Sequence, residues 1–220
     1  MKKYIIFFST SAILLSLSVW ILVKLYSFDS SISQIGLMML EQKLMNIPNE
    51  VREVDIDEGD SFVMGDDSAP VTTIMFFDYE CDYCKLFFAT TFPQIEEKLI
   101  NTGKLRFVFR HFPIEMHPQS YVAAQMAEQA RQQGKFPEMH KQLMETYNLT
   151  EGALVVYAEQ LGVDTDQWLS NPVSIEKIDT DKAVGVGVSV RGTPSFVTNG
   201  RMQAGMRDYE EFKQIAGITE

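Results

Sequence analysis

Val71-Thr72-Thr73-Ile74-Met75-Phe76-Phe77-Asp78-Tyr79-Glu80-Cys81-Asp82-Tyr83-Cys84 runs from an apolar stretch into a pair of cysteines. The apolar run 71–77 reads as a buried strand, and the segment from Lys85 to Ile100 reads as a helix. Cys81 and Cys84, the only cysteines of the chain, sit at the junction. Two thiols at C-x-x-C spacing can close into a disulfide and reopen, which is the chemistry of thiol–disulfide exchange. The junction places Cys81 at a helix N-terminus. Unpaired backbone N–H groups and the helix dipole favour a thiolate there. A purely structural bridge is the weaker reading, because closing so short a loop removes little chain entropy.

Working outward, Ser61 to Gly65 reads as a first edge strand and Gly65 to Pro70 as a turn. The helix after Cys84 should kink at Pro93, which lacks an N–H. Gly103 closes it, and Leu105 to Phe109 is a second strand. From His117 to about Asp181 the pattern is helical and broken by turns, with stripes such as Met139, Leu143, Met144 and Tyr147 that read as core. Ser195 to Thr198, Asn199-Gly200 and Arg201 to Ala204 read as a hairpin on an Asn-Gly turn. Tyr209 to Ala216 is a closing amphipathic helix.

Toward the N-terminus, Tyr4 to Val23 is 20 residues without a charge. As a helix it spans about 30 Å, the hydrocarbon thickness of a bilayer. Lys2 and Lys3 precede it, which orients the N-terminus to the cytoplasm and the remainder to the extracytoplasmic or periplasmic side. The bulky end Trp20-Ile21-Leu22-Val23 favours an uncleaved anchor over a cleaved signal peptide. Either assignment puts the cysteines in an oxidising compartment. Residues 1–25 are thus the transmembrane anchor. Residues 26–60 are a juxtamembrane linker with an amphipathic helix near 34–46 (Leu37, Leu40, Leu44), a candidate surface for homo-oligomers. Residues 50–60 read as a solvated acidic connector, and residues 61–220 as the main domain. Of 19 basic residues, three are Lys2, Lys3 and Lys24; the other 16 face 30 acidic ones, a balance of −14. Nucleic-acid binding, which needs basic patches, is excluded as a partner class.

The order strand, C-x-x-C helix, strand, helical block, Gly192-Thr193-Pro194, hairpin, helix resembles the DsbA-like branch of the thioredoxin superfamily. The resemblance covers roughly residues 61 to 216. It is carried by Gly65 to Val71, Phe76 to Cys84, Arg110-His111-Phe112-Pro113-Ile114, Ala123-Ala124, Gln133 to His140, and Val190 to Phe196. It implies an α/β, thioredoxin-like fold with a helical insertion at about 115–182, which the N-terminal transmembrane helix read above would precede. It also implies that Cys81 is the nucleophile, Cys84 the resolving thiol and Pro194 a cis residue facing the pair. Thr193 would then offer backbone groups to an extended substrate. Two positions depart from the family. Met75 stands where a buried acid often assists the second thiol. Asp82-Tyr83 stands where strong oxidases carry a histidine, with Glu80 on the other flank. Both carboxylates oppose a thiolate, so Cys81 is expected to be less acidic than in the histidine-containing oxidases.

The resemblance implies an extracytoplasmic thiol–disulfide oxidoreductase that forms, reduces or isomerises disulfides in exported proteins. Its electrons are carried by the Cys81–Cys84 disulfide without an organic cofactor. Its partners would be cysteine-containing exported proteins and a membrane redox partner. From another class, the chain could be a Cu(I)-binding or chaperone-like module on the same scaffold, since soft thiolates suit Cu(I). His111, His117 and His140 lack zinc-site spacing with the cysteines, and read as satisfied or exposed side chains.

Overall fold

A computed structural model describes residues 52–218; the anchor and the 34–46 helix lie outside them. Among the described residues no helix is long and apolar enough to cross a membrane. The strands are β1 (Arg52–Glu53), β2 (Phe62–Met64), β3 (Val71–Phe77), β4 (Leu105–His111), β5 (Ser195–Thr198) and β6 (Arg201–Ala204). They form one sheet in the order β1-β6-β5-β3-β4-β2. Only β3 and β4 run parallel, with Ile74 opposite Val108 and Phe77 opposite His111. The other pairs are antiparallel.

This pairing explains the unbroken apolar run of β3. Met75 and Phe77 face one core with Phe107 and Phe109 of β4. Ile74 and Phe76 face the opposite core with Val108, Val197 and Met202. A strand covered on both faces shows no polar alternation. The hairpin forms as expected: Asn199 (φ 46°) and Gly200 (φ 77°) both take positive φ, which a two-residue turn of this type requires.

Helix α1 (Asp82–Thr90) follows the motif, and α2 (Phe92–Ile95) follows a break at Thr91. Pro93 lies in the first turn of α2, and this helical segment ends in a π-helical turn, Glu96–Ile100. The expected single helix is therefore three short pieces. The helical block holds α3 (Ser120–Gln132), α4 (Phe136–Met144), α5 (Glu151–Gln160), a 3₁₀ turn (Trp168–Ser170) and α6 (Pro172–Gly187). Helix α7 (Tyr209–Ala216) closes the domain with a capping box from Asp208 and Glu211.

The acidic connector is not simply solvated. Glu58 makes a two-pronged ion pair with Arg106, at 2.6 and 2.7 Å. Asp57 offers its carbonyl to Arg110 at 3.0 Å, and Asp60 pairs with Arg131. Residues 52–53 add a strand to the sheet edge. The block of carboxylates is thus partly used to neutralise arginines of β4 and α3.

His140 of α4 is 6% exposed, among Phe77, Phe88, Phe109 and Phe136. Its Nδ1 lies 3.0 Å from the Tyr79 hydroxyl, and its Nε2 has no polar partner among the described residues. Burial, reinforced by the positive charges of His111 and Lys85, pushes it down from 6.5 to about 3. Between those values the unfolded chain binds a proton that the folded chain refuses. The contribution is therefore complete above pH 6.5 and is lost as pH falls toward about 3. We expect acidification from about pH 7 to about pH 4.5 to cost about 2–3 kcal/mol through this group alone. His140→Gln keeps a partner for Tyr79 and should flatten that part of the profile in urea unfolding. Identical pH profiles for the variant and the parent would overturn the assignment.

Candidate active site

Cys81 is the residue that starts α1. Its backbone is extended (φ −71°, ψ 114°), and its carbonyl takes the first helical hydrogen bond, from Lys85 N–H at 3.0 Å. The chain reaches it through a tight turn in which Cys81 N–H donates to the Asp78 carbonyl at 3.3 Å. Cys84 falls one turn later on the inner face of α1. Both thiols are free. Cys81 is 6% exposed and Cys84 is completely buried, so only Cys81 meets the surface.

Thr193 and Pro194 close the site from the other side, and the Thr193–Pro194 peptide is cis, as the resemblance implied. The Cys81 thiol lies 3.2 Å from the Thr193 carbonyl. Just beyond, the Ser195 hydroxyl donates to the Gly192 carbonyl at 2.7 Å and Gly205 N–H donates to the Pro194 carbonyl at 2.8 Å. The loop is thereby held from within.

The two sulfurs are unlike. A hydrogen bond from Cys84, the largest influence, lowers Cys81 to about 6 against the opposing effect of its partial burial. The Thr193 hydroxyl and the backbone N–H groups of Tyr83 and Cys84 at the helix start add to the lowering. Burial, and then the neighbouring Cys81, push Cys84 well above the ordinary thiol range. This asymmetry supplies one anionic sulfur at the surface and one protonated sulfur behind it. A value of about 6 lies below thioredoxin's roughly 7 and well above the roughly 3.5 of the strong oxidant DsbA. The flanking carboxylates do less harm than their charges suggested. Asp82 is exposed, and Glu80 is turned aside to accept Gln119 N–H at 2.6 Å. Tyr83 projects from the motif, 64% exposed.

Met75 is fully buried in the core, so it offers no proton route to Cys84. The acid buried beside the motif is instead Asp78, which is 1% exposed. Its Oδ1 accepts Glu80 N–H at 2.7 Å and its Oδ2 accepts Ile114 N–H at 2.8 Å. His117 Nδ1 lies 2.9 Å from the same Oδ2, a close ring–carboxylate contact. Lys85, directly after Cys84, is buried as well. It donates to the carbonyls of Leu143 (2.9 Å) and Thr146 at the end of α4, and its Nζ lies 5.2 Å from the Tyr147 ring centre. There it satisfies carbonyls that a helix end leaves open. Neither Asp78, His117 nor Lys85 stood out as functional in the sequence. The one hint was that Asp78 and Lys85 lie within a few residues of the C-x-x-C pair.

The family model described as Thioredoxin matches residues 57–216, and the chain belongs to that family. Within it the chain has the DsbA-type arrangement, with the helical block inserted between β4 and β5. Among curated relatives, the Na(+)/H(+) antiporter NhaA 3 of Salinispora tropica is 35% identical over 162 residues, covering 71% of this chain and 24% of that protein. The chain thus spans about a quarter of the length of that relative. Disulfide bond formation protein D of Bacillus subtilis is 27% identical over 165 residues, 69% of this chain and 73% of that protein. Among solved structures, α-DsbA1 of Wolbachia pipientis superposes with a TM-score of 0.65 at 23% identity, covering 74% of this chain and 92% of that one, a likeness of fold.

Proposed function

We propose that this domain is a thiol–disulfide oxidoreductase working on cysteines of other exported proteins. The observation that carries the reading is the asymmetry of the pair: an acidified Cys81 at a helix start beside the Thr193 carbonyl, with a buried, protonated Cys84 behind it. In the reducing direction the Cys81 thiolate attacks a substrate disulfide. One Cys81–substrate S–S bond forms, the substrate S–S bond breaks, and one substrate thiolate leaves. Cys84 gives up its proton, attacks the Cys81 sulfur and releases the second substrate thiolate. Two electrons pass to the substrate and the pair becomes a disulfide; oxidation of a dithiol runs the same steps backwards. Thr193 presents its carbonyl, and Pro194 removes an N–H from the same edge. Exposed Tyr83, Leu86, Met116 and Tyr147 lie on the motif and on the segments around it, and apolar side chains of this kind suit an unfolded polypeptide.

The location rests on the sequence: the apolar segment 4–23 behind Lys2 and Lys3 supports a membrane anchor, with the thiols on the extracytoplasmic side. A membrane redox partner would return the pair to its working state. The 34–46 helix is the surface proposed for self-association.

Equilibration with glutathione buffers tests the reading. The lowered Cys81 lies between those of thioredoxin and DsbA, so a reduction potential between their roughly −270 and −120 mV is expected. A value near −120 mV would contradict this intermediate poise. Failure to exchange with glutathione at all would leave the Cu(I)-binding or chaperone-like role as the better account.

A further inference from the structure

The segment between β4 and α3 is clamped to the Asp78–Cys81 turn at three points. Ile114 N–H binds Asp78 at 2.8 Å, the His117 ring meets Asp78 at 2.9 Å, and Gln119 N–H binds Glu80 at 2.6 Å. The segment is folded on itself as well, since His117 N–H donates to the Ile114 carbonyl at 2.9 Å and Ser120 N–H to the His117 carbonyl at 3.3 Å. His117 is the middle clamp, with its side chain 25% exposed and its Nδ1 buried. That contact sets the imidazole against the turn that carries Cys81.

We propose that His117, held by Asp78, is a positioning residue for thiol–disulfide exchange: from a segment outside the motif it supplies the positive charge that Asp82-Tyr83 lacks, and so holds Cys81 as a thiolate. The inference rests on the exchange reading above and adds how its nucleophile is tuned. The charged groups around the imidazole are Asp78, Glu80 and Cys81, all from the 78–81 turn. On its own segment Glu115 is exposed, and on α1 Lys85 is committed to the Leu143 and Thr146 carbonyls. Partial burial opposes the charged ring, but Asp78 beside it, then Glu80 and Cys81, outweigh that and raise His117 above its ordinary value. The coupling is reciprocal: a thiolate that favours the imidazolium is favoured by it to the same degree. In the reduced form the imidazolium thus faces two carboxylates and one thiolate. Each reduction of the disulfide releases Cys81 as that thiolate, so its stabilisation favours the reduced form and makes the disulfide more oxidising.

The test uses the full chain with His117→Gln, which removes the charge but keeps a donor for Asp78, and His117→Lys, which restores a charge. Thiolate absorbance is followed against pH, and the reduction potential is measured in glutathione buffers. His117→Gln should hold less thiolate near pH 6 and shift the potential toward reducing values, by about 30 mV for each tenfold change in equilibrium constant. His117→Lys should recover both. A purely structural histidine would not produce that recovery. An unchanged titration in His117→Gln, or a loss that His117→Lys does not recover, overturns the proposal. The absorbance titration needs no turnover. A His117-dependent thiolate in a chain without exchange activity would sink the activity reading alone, and an active chain with a His117-independent thiolate would sink this one.

Discussion

Cys81→Ser should lower thiol–disulfide exchange to background, a loss of about 10³-fold or more, the scale on which removal of a nucleophile falls. The hydroxyl that replaces the thiol is not ionised at neutral pH and cannot form the mixed disulfide. Cys84→Ser should behave differently. Cys81 remains at the helix start against the Thr193 carbonyl and still attacks. The mixed disulfide then has no internal thiol to resolve it, and the chain accumulates covalently bound to its substrate. The serine hydroxyl introduced there can still donate to the Cys81 sulfur, so the acidified thiol that attacks is kept. Non-reducing mass analysis after incubation with a disulfide-containing peptide separates the two variants. Adduct on Cys81→Ser, or none on Cys84→Ser, would reverse the roles proposed for the pair.

The parts of this fold that could be read in advance are those dictated by near neighbours in sequence. The run 71–77 is apolar because both faces of β3 are covered, and Asn199-Gly200 takes the positive φ values that a two-residue hairpin turn needs. Cys81 begins the helix because a strand, a turn and a helix meet there. What escaped the sequence is set by contacts between distant segments. His117 finds Asp78 across 39 positions and Lys85 finds the end of α4 across 58. Nothing near either residue announces those partners. Lys85 in particular reads as a solvated helix charge until the carbonyls of Leu143 and Thr146 are placed above it. Carboxylates 57, 58 and 60 looked like a solvated run because the arginines they serve lie on β4 and α3. Helix α6 was legible only in part. Its glycines weaken the helical signal, yet Gly185 is needed where it is: a Cβ there would sit 2.6 Å from the Phe112 ring.

The same long-range logic makes Asp181 the position where one substitution should damage stability most. Asp181 of α6 is fully buried. Its Oδ1 accepts from Arg110 at 2.8 Å, and its Oδ2 accepts from His111 N–H at 3.1 Å and from Lys177. The carboxylate thus joins α6 to the end of β4, just before the segment that reaches the active-site turn. Arg110 is almost completely buried and Lys177 is 7% exposed, so neither can regain water if the carboxylate is removed. Asp57 gives Arg110 only partial relief, at 3.4 Å and from an exposed carboxylate. Deleting one partner of a buried ionic cluster leaves uncompensated charge, which costs about 3–5 kcal/mol. Asp181→Ala should therefore lower the unfolding free energy by about that amount, and for a chain of this size the melting temperature by on the order of 10 °C. Asp181→Asn keeps an acceptor for Arg110 or His111 N–H and should lose less. Replacing Lys177 by Met in the Asp181→Asn background removes one stranded cation and should recover part of the difference. Urea unfolding of the four chains decides it. If Asp181→Ala stays within about 1 kcal/mol of the parent, water reaches the cluster and the buried triad is not what fastens α6 to the sheet.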